Sequence, residues 1–207
     1  MKAIVFGSTG GIGRQVVEQA LAANYEVTAI ARRPEAITTQ HPRLKVVRGD
    51  VLDPASFRQA LAGQDVVVSA LGVVTRGPTT VYSAGVANIV EAMRANGVRR
   101  LLCISASGLE PGPRWQRIVA KQVLWRILKE MYTDLVRMEA VAKASGLDWT
   151  VIRPPRLTDK PRTGHYQIVV NQHLTHGSVI SRADVADYIV NHWQDRAAYC
   201  GMVEVAY

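Results

Sequence analysis

Four glycines fall within seven residues near the start of the chain, in the run Gly7, Ser8, Thr9, Gly10, Gly11, Ile12, Gly13. Residues this small let backbone N–H groups close around an anion, and a helix that opens at the same place adds the favourable end of its dipole. The glycines divide the work. Gly7 permits a tight bend, Gly10 lets the backbone come up to phosphate oxygens, and Gly13 lets the following helix lie close on the sheet. The spacing is GxxGxxG rather than GxGxxG, and a loop of this kind takes the diphosphate of a dinucleotide. The choice of dinucleotide is written at Ala31, Arg32 and Arg33. An acidic residue there would accept from a ribose 2′-hydroxyl, whereas guanidinium groups bind a 2′-phosphate through charge-assisted hydrogen bonds worth ~1.5–3 kcal/mol. Arg32 and Arg33 therefore predict NADPH (NADP) as the cofactor, Arg32 the more strongly. The alternative is a solvated arginine pair with Glu35 as its mate.

Two more segments point into the same crevice, because ligands of open parallel sheets sit beyond the carboxyl ends of the strands. In Gly49, Asp50 and Val51, the Asp50 carboxylate can accept from an adenine amino group while Val51 covers a ring face; equally, Asp50 can be an ordinary turn residue. In Leu71 and Gly72, the glycine lets the chain pass close to a ribose or the nicotinamide. Ser105 ends a candidate strand, from which its hydroxyl can reach the nicotinamide carboxamide or a substrate. His165, His173 and His176 lack helical metal-ligand spacing and have no cysteine nearby, so they are read as surface residues and no metal site is expected.

The elements that would carry these residues alternate. Strand-length apolar runs stand at 3–6, 27–30, 44–48, 66–70, 101–104, 150–153 and, weakly, 203–205, with helical stretches between them. That alternation predicts an α/β fold: a three-layer, doubly wound, mainly parallel sheet of about seven strands in one domain spanning 1–207. Ile12, Val16, Val17, Ala20 and Leu21 follow the helical period and give the first helix its buried face. A second helix is expected to start at Asp53 with Pro54 at its first position, and a third to run over 80–96 with Gly97 as its stop. The longest helical stretch, 115–145, has a broad apolar stripe; its Trp115 and Trp125 are read as core before cleft, and Gly146 closes it. Residues 154–178 read as a substrate-side excursion. The helix after it, 182–193, is opened by Ser181 and Asp184, a capping box with Asp in place of Glu or Gln.

With 48% hydrophobic and 20% charged residues over 207, the composition is that of a globular protein, and no apolar run approaches the ~18 residues of a membrane span. The strand at 3–6 follows Met1 and Lys2 directly, so a signal peptide is not expected and a cytoplasmic location is. Cys103 and Cys200 read as reduced thiols. The net charge of +8 suits anionic small molecules as well as nucleic acid. The densest basic stretch, Arg114, Arg117, Lys121, Arg126 and Lys129, carries no RNA-binding or recognition-helix signature and reads as a solvated helix face. No nucleic-acid or membrane partner is expected.

Taken together, the glycine loop, Arg32, Asp50 with Val51, Leu71 with Gly72, Ser105 and the segment from Thr150 to Pro155 resemble the atypical short-chain dehydrogenases/reductases of the NAD(P)H-binding, NmrA-like group. Within it the chain is most similar to the relatives of biliverdin-IXβ reductase, also called flavin reductase. The resemblance covers nearly the whole chain. It implies a monomeric Rossmann protein that uses NADPH to reduce flavins or linear tetrapyrroles, with the loop, Ser105 and Pro154 on the cofactor side.

Two departures qualify the chemistry. The Tyr-xxx-Lys spacing of the classical enzymes is missing: counting on from Tyr82, Tyr132, Tyr166 and Tyr188 no lysine is met at the required place. Tyr132 stays a weak candidate and is read chiefly as packing. Where the resembled reductase has a histidine after paired prolines, this chain has Arg156, which keeps its proton and is suited instead to steering a substrate carboxylate or phosphate, as are Arg76 and Arg137. The leading expectation is thus an NADPH-dependent reductase with Ser105 and Arg156 at the reacting end. A non-catalytic NADP(H)-binding redox sensor of NmrA-like type is the alternative, and a sugar-nucleotide epimerase-like enzyme the least favoured.

Overall fold

The computed structural model describes residues 1–73, 77–107 and 119–207, with backbone alone over 119–128. An eight-stranded sheet runs through its centre, in the order β3 (Leu44–Arg48), β2 (Glu26–Ala31), β1 (Lys2–Phe6), β4 (Val66–Ser69), β5 (Arg100–Ile104), β6 (Asp148–Arg153), β10 (Gly201–Ala206), β8 (Gln167–Val170). Every pairing is parallel except the last, in which β8 runs antiparallel to β10. A parallel sheet needs cover on both faces, so its central strands are apolar without alternation, and β4 and β5 are buried at every residue.

The cover comes in two layers. Helices α1 (Gly11–Ala22) and α4 (Arg182–His192) lie side by side on one face, with Val16, Val17, Ala20, Val185 and Ile189 among the residues of that core. On the other face α2 (Val81–Ala95) packs on α3 (Val119–Lys143), and Val86, Ile89, Met93, Leu135 and Met138 fill the second core. This is the expected doubly wound α/β arrangement, and the strand order turns back at β1, the switch point beside which ligands of such sheets lie.

Two expectations are extended and one is corrected. The sheet has eight strands, not about seven; the added β8 is a short edge strand whose first two residues are exposed, so it needs little apolar sequence. A separate parallel pair, β7 (Arg156–Thr158) with β9 (Val179–Ser181), gives the excursion after β6 a frame of its own. The helix expected at Asp53 is two short 3-10 turns, Pro54–Ser56 and Arg58–Leu61, and the Asp53 side chain caps neither. Ser56 folds the chain back there, its hydroxyl donating to the Asp53 carbonyl at 2.6 Å and accepting from the Asp50 N–H at 3.0 Å. Phe57, between the turns, is then buried edge-on against Phe6 at a centroid distance of 4.9 Å.

The other helix signals have their structural counterparts. Gly97 and Gly146 take positive φ of 69° and 65° after α2 and α3. Ser181 caps α4, accepting from Asp184 N at 2.9 Å. Trp115, Arg114 and Arg117 lie outside the described residues, and so do the side chains of Lys121, Trp125 and Arg126. Among the described residues no helix is long and apolar enough to cross a membrane.

Candidate functional site

The glycine loop connects β1 to α1 at the switch point. Gly7 has φ +73°, and a Cβ on it would collide with the Ala70 carbonyl; one on Gly13 would collide with the carbonyl of Gly7. Both glycines are thus required by the close passage of the chain over itself. What the loop presents outward is the start of α1. Gly10 is its N-cap with no side chain to cap it, and the first turn holds no acidic residue. The N–H groups of the first turn, from Gly11, Ile12 and Gly13, have no intrahelical carbonyl to meet. The starts of α2 and α4 differ: α4 is capped by Ser181, and α2 receives the buried Asp134 carboxylate from α3. An uncapped, acid-free helix start fits the diphosphate of a dinucleotide.

Two side chains of the loop turn inward. The Ser8 hydroxyl donates to the Ile30 carbonyl at 2.8 Å and ties the loop to β2, while the Ile12 side chain is in the core, so both face the site through backbone only. Thr9, Gly10 and Gly11 are exposed. Beyond β2, Arg32 and Arg33 are exposed as well, and no ion pair of theirs occurs among the described residues. Glu35, the possible mate, faces Arg48 instead at 3.9 Å. Next along the crevice, Asp50 Oδ1 accepts from Leu52 N at 3.0 Å, so one carboxylate oxygen serves the turn. Val51 is 8% exposed, wedged against Gly85, where a Cβ would stand 2.9 Å from Val51 Cγ2 and 3.1 Å from Leu71 Cδ1. Gly72 has open space around it.

Past the loop, β5 and β6 end together. Ser105 N donates to the Ile152 carbonyl at 2.8 Å and Ser107 N to the carbonyl of the buried Pro154 at 2.9 Å. The Ser105 hydroxyl donates to Glu139 Oε1 at 2.7 Å. Arg153 grips the same carboxylate, Nε to Oε1 at 2.9 Å and Nη2 to Oε2 at 2.6 Å, with both side chains 5% exposed. With its proton committed, Ser105 offers the site an acceptor rather than a donor. Arg156 stands exposed on β7 and Arg137 exposed on α3; Arg76 lies outside the described residues.

Tyr132 is half-buried against the second core and burial raises its phenol pKa. Burial pushes the Cys103 thiol up to about 12. His165, His173 and His176 are all exposed, and His173 Nδ1 is 2.8 Å from Glu204 Oε1 beside a cavity of about 210 Å³ that Arg153, Asn171 and Met202 also line. A larger groove, about 450 Å³, lies among Lys2, Glu26 and Leu44, at the opposite ends of β1 to β3 from the loop. No metal-holding cluster occurs among the described residues.

Two residues at the site escape the motif reading. Glu139 gives no signal, being one acidic residue in a helix. Arg182 gives a faint one: it is a cation in the first turn of α4, where the helix dipole favours an anion, and it rests beside Gly11.

Residues 7–196 match the family model described as NAD(P)H-binding. An uncharacterised chloroplastic protein of Arabidopsis thaliana is 28% identical over 99% of this chain and 76% of its own length. A (4-alkanoyl-5-oxo-2,5-dihydrofuran-3-yl)methyl phosphate reductase of Streptomyces griseus is 33% identical over 73% of this chain and 46% of its own length. Among solved structures, the anaerobilin reductase ChuY of Escherichia coli O157:H7 superposes with a TM-score of 0.78 at 24% identity, covering 100% of this chain and 97% of that one.

Proposed function

The chain belongs to the NAD(P)H-binding family, and from that premise we propose that it is an NADPH-dependent reductase that passes a hydride to a planar, conjugated acceptor of the flavin or linear tetrapyrrole class. The observation that carries the choice of cofactor is the pair Arg32 and Arg33, exposed beyond β2 with no ion pair among the described residues and with Glu35 turned to Arg48. Two exposed guanidinium groups beside a diphosphate loop are placed for a 2′-phosphate. Reduction is supported by the two reductases that share the sequence or the fold, and the acceptor class by the family resemblance and by the anaerobilin reductase alone.

NADPH supplies the hydride when bound, and the chain supplies position. The first turn of α1 orients the diphosphate, and Asp50, Val51, Leu71 and Gly72 line the way for the adenine and ribose. Ser105, its own proton held by Glu139, accepts from a carboxamide N–H and fixes the ring's rotation. Pro154 closes the β6 side. Arg156, exposed on β7, draws the acidic groups of the acceptor toward the cleft. The proton that accompanies the hydride comes from solvent in this scheme, so no hydroxyl of the chain is required as its donor.

Titration with NADPH and NADH tests the cofactor: Arg32→Ala is expected to weaken NADPH by roughly 10- to 100-fold while leaving NADH unchanged. Loss of both alike would refute the assignment. NADPH oxidation with riboflavin, FMN and biliverdin tests the reaction. Tight binding with no oxidation across that panel would replace the reductase by a redox sensor.

A further inference from the structure

Gly11 is the one glycine of the loop whose missing side chain makes room for another residue's side chain. A Cβ there would stand 2.8 Å from Nε of Arg182, so the arginine lies across the first turn of α1. Arg182 is itself the first residue of α4, and its side chain is 32% exposed. Its Nη1 meets Asp159 Oδ1 at 2.7 Å, on a carboxylate whose side chain is 88% exposed. A cation at the starts of two helices opposes both dipoles, and an ion pair so open to water stabilises little. The α1 start beside it has neither a capping side chain nor an acidic residue in its first turn. Each of these features is unfavourable alone, and an anion between Arg182 and the first turn reconciles them.

We propose that Arg182 is part of the diphosphate site: its guanidinium closes over the diphosphate carried by the N–H groups of Gly11, Ile12 and Gly13, and Asp159 is the resting partner that the diphosphate displaces. This rests on the cofactor reading above. It separates two jobs among the arginines. Arg32 and Arg33 act on the 2′-phosphate and hence on the choice between NADPH and NADH; Arg182 acts on what both dinucleotides share. Asp159 competes with the ligand, so removing its charge favours binding.

Titration of the full chain with NADPH, NADH and adenosine 2′-monophosphate tests this, since the last carries a 2′-phosphate and no diphosphate. Arg182→Ala is expected to weaken NADPH and NADH alike, by about tenfold, and to leave the 2′-monophosphate unchanged. Arg182→Lys, a point charge without the bidentate fork, should keep part of the affinity. Asp159→Asn should tighten NADPH by about two- to fivefold. Thermal midpoints of the variants report that each is folded. NADPH affinity unchanged in Arg182→Ala, an equal loss on the 2′-monophosphate, or weaker binding by Asp159→Asn would each overturn the proposal while the cofactor reading stands. A parent chain that fails to bind NADPH would bring down the cofactor reading, and this inference with it.

Discussion

The hydroxyl proton of Ser105 goes to Glu139, and Glu139 is also gripped twice by Arg153, so three side chains, one just past β5, one from α3 and one from β6, act as one buried unit. An ion pair this deep is not a large net source of stability, because taking both charges out of water offsets most of their attraction. Breaking it is another matter. Glu139→Gln removes the anion that takes Nε and Nη2 of Arg153 and weakens the acceptor of the Ser105 proton, and it is expected to cost about 3–5 kcal/mol in urea unfolding. The double replacement Glu139→Met with Arg153→Met should recover much of that loss. Ser105→Ala, which deletes one hydroxyl bond to a charged group, should cost only about 1.5–3 kcal/mol, and the Glu139 and Ser105 changes together less than their sum. Additive losses would show that the three side chains do not act as one.

At the scale of elements, α2 has a start that its own sequence supplies only in part. Thr80 stands at its N-cap without a side-chain cap; Thr79 Oγ1 accepts from Val81 N at 3.2 Å, and the other caps come from Asp134 of α3, which accepts from Tyr82 N at 2.9 Å and Ser83 N at 3.4 Å as well as from the Ser83 hydroxyl. Asp134 is fully buried there and joins the two helices that cover one face. Asp134→Ala is expected to cost about 1–3 kcal/mol and to raise amide exchange first in the opening turn of α2. Protection unchanged in that turn would refute the capping role. The same contact shows where sequence reading stops. The strands β1, β2, β4 and β5 were legible because burial on both faces leaves an unbroken apolar run, and the glycine loop because its small residues are needed within a few positions of each other. A carboxylate that caps a helix 52 residues earlier leaves no local mark, nor does Glu139, 34 residues beyond the serine it holds. At Asp53 the local signal was present and was overridden by the burial of Phe57 on Phe6.

Over the whole molecule, Asp184 ties together segments that the sheet leaves apart. Fully buried at the start of α4, it accepts from Thr163 N and Gly164 N, each at 2.8 Å, from the Ser181 hydroxyl at 2.9 Å and from the Tyr207 hydroxyl near the end of β10. Burial alone would raise its carboxyl pKa, but the bonds from Tyr207, Gly164, Thr163 and Ser181 outweigh burial and hold it below the usual range. A carboxylate whose folded pKa is depressed stabilises the fold above its unfolded value, near ~3.9, and that stability is lost as pH falls through the folded value. Buried phenols act at the other limit: burial carries Tyr188 up to about 12, so its share of stability is complete below the unfolded value near ~10 and is lost as pH rises toward 12. Between those limits the thermal midpoint should be nearly level. Asp184→Asn, which keeps the size but loses the charge its hydrogen-bond donors face, is expected to cost about 2–4 kcal/mol near neutrality and progressively less below pH ~4, as the parent carboxylate itself is protonated. Thermal scans of both proteins from pH 7 to pH 3 check it. If their midpoints stay equally far apart across that range, Asp184 is not the group that sets the acid limit, and the net charge of +8, which grows as the other carboxylates protonate, takes its place as the cause.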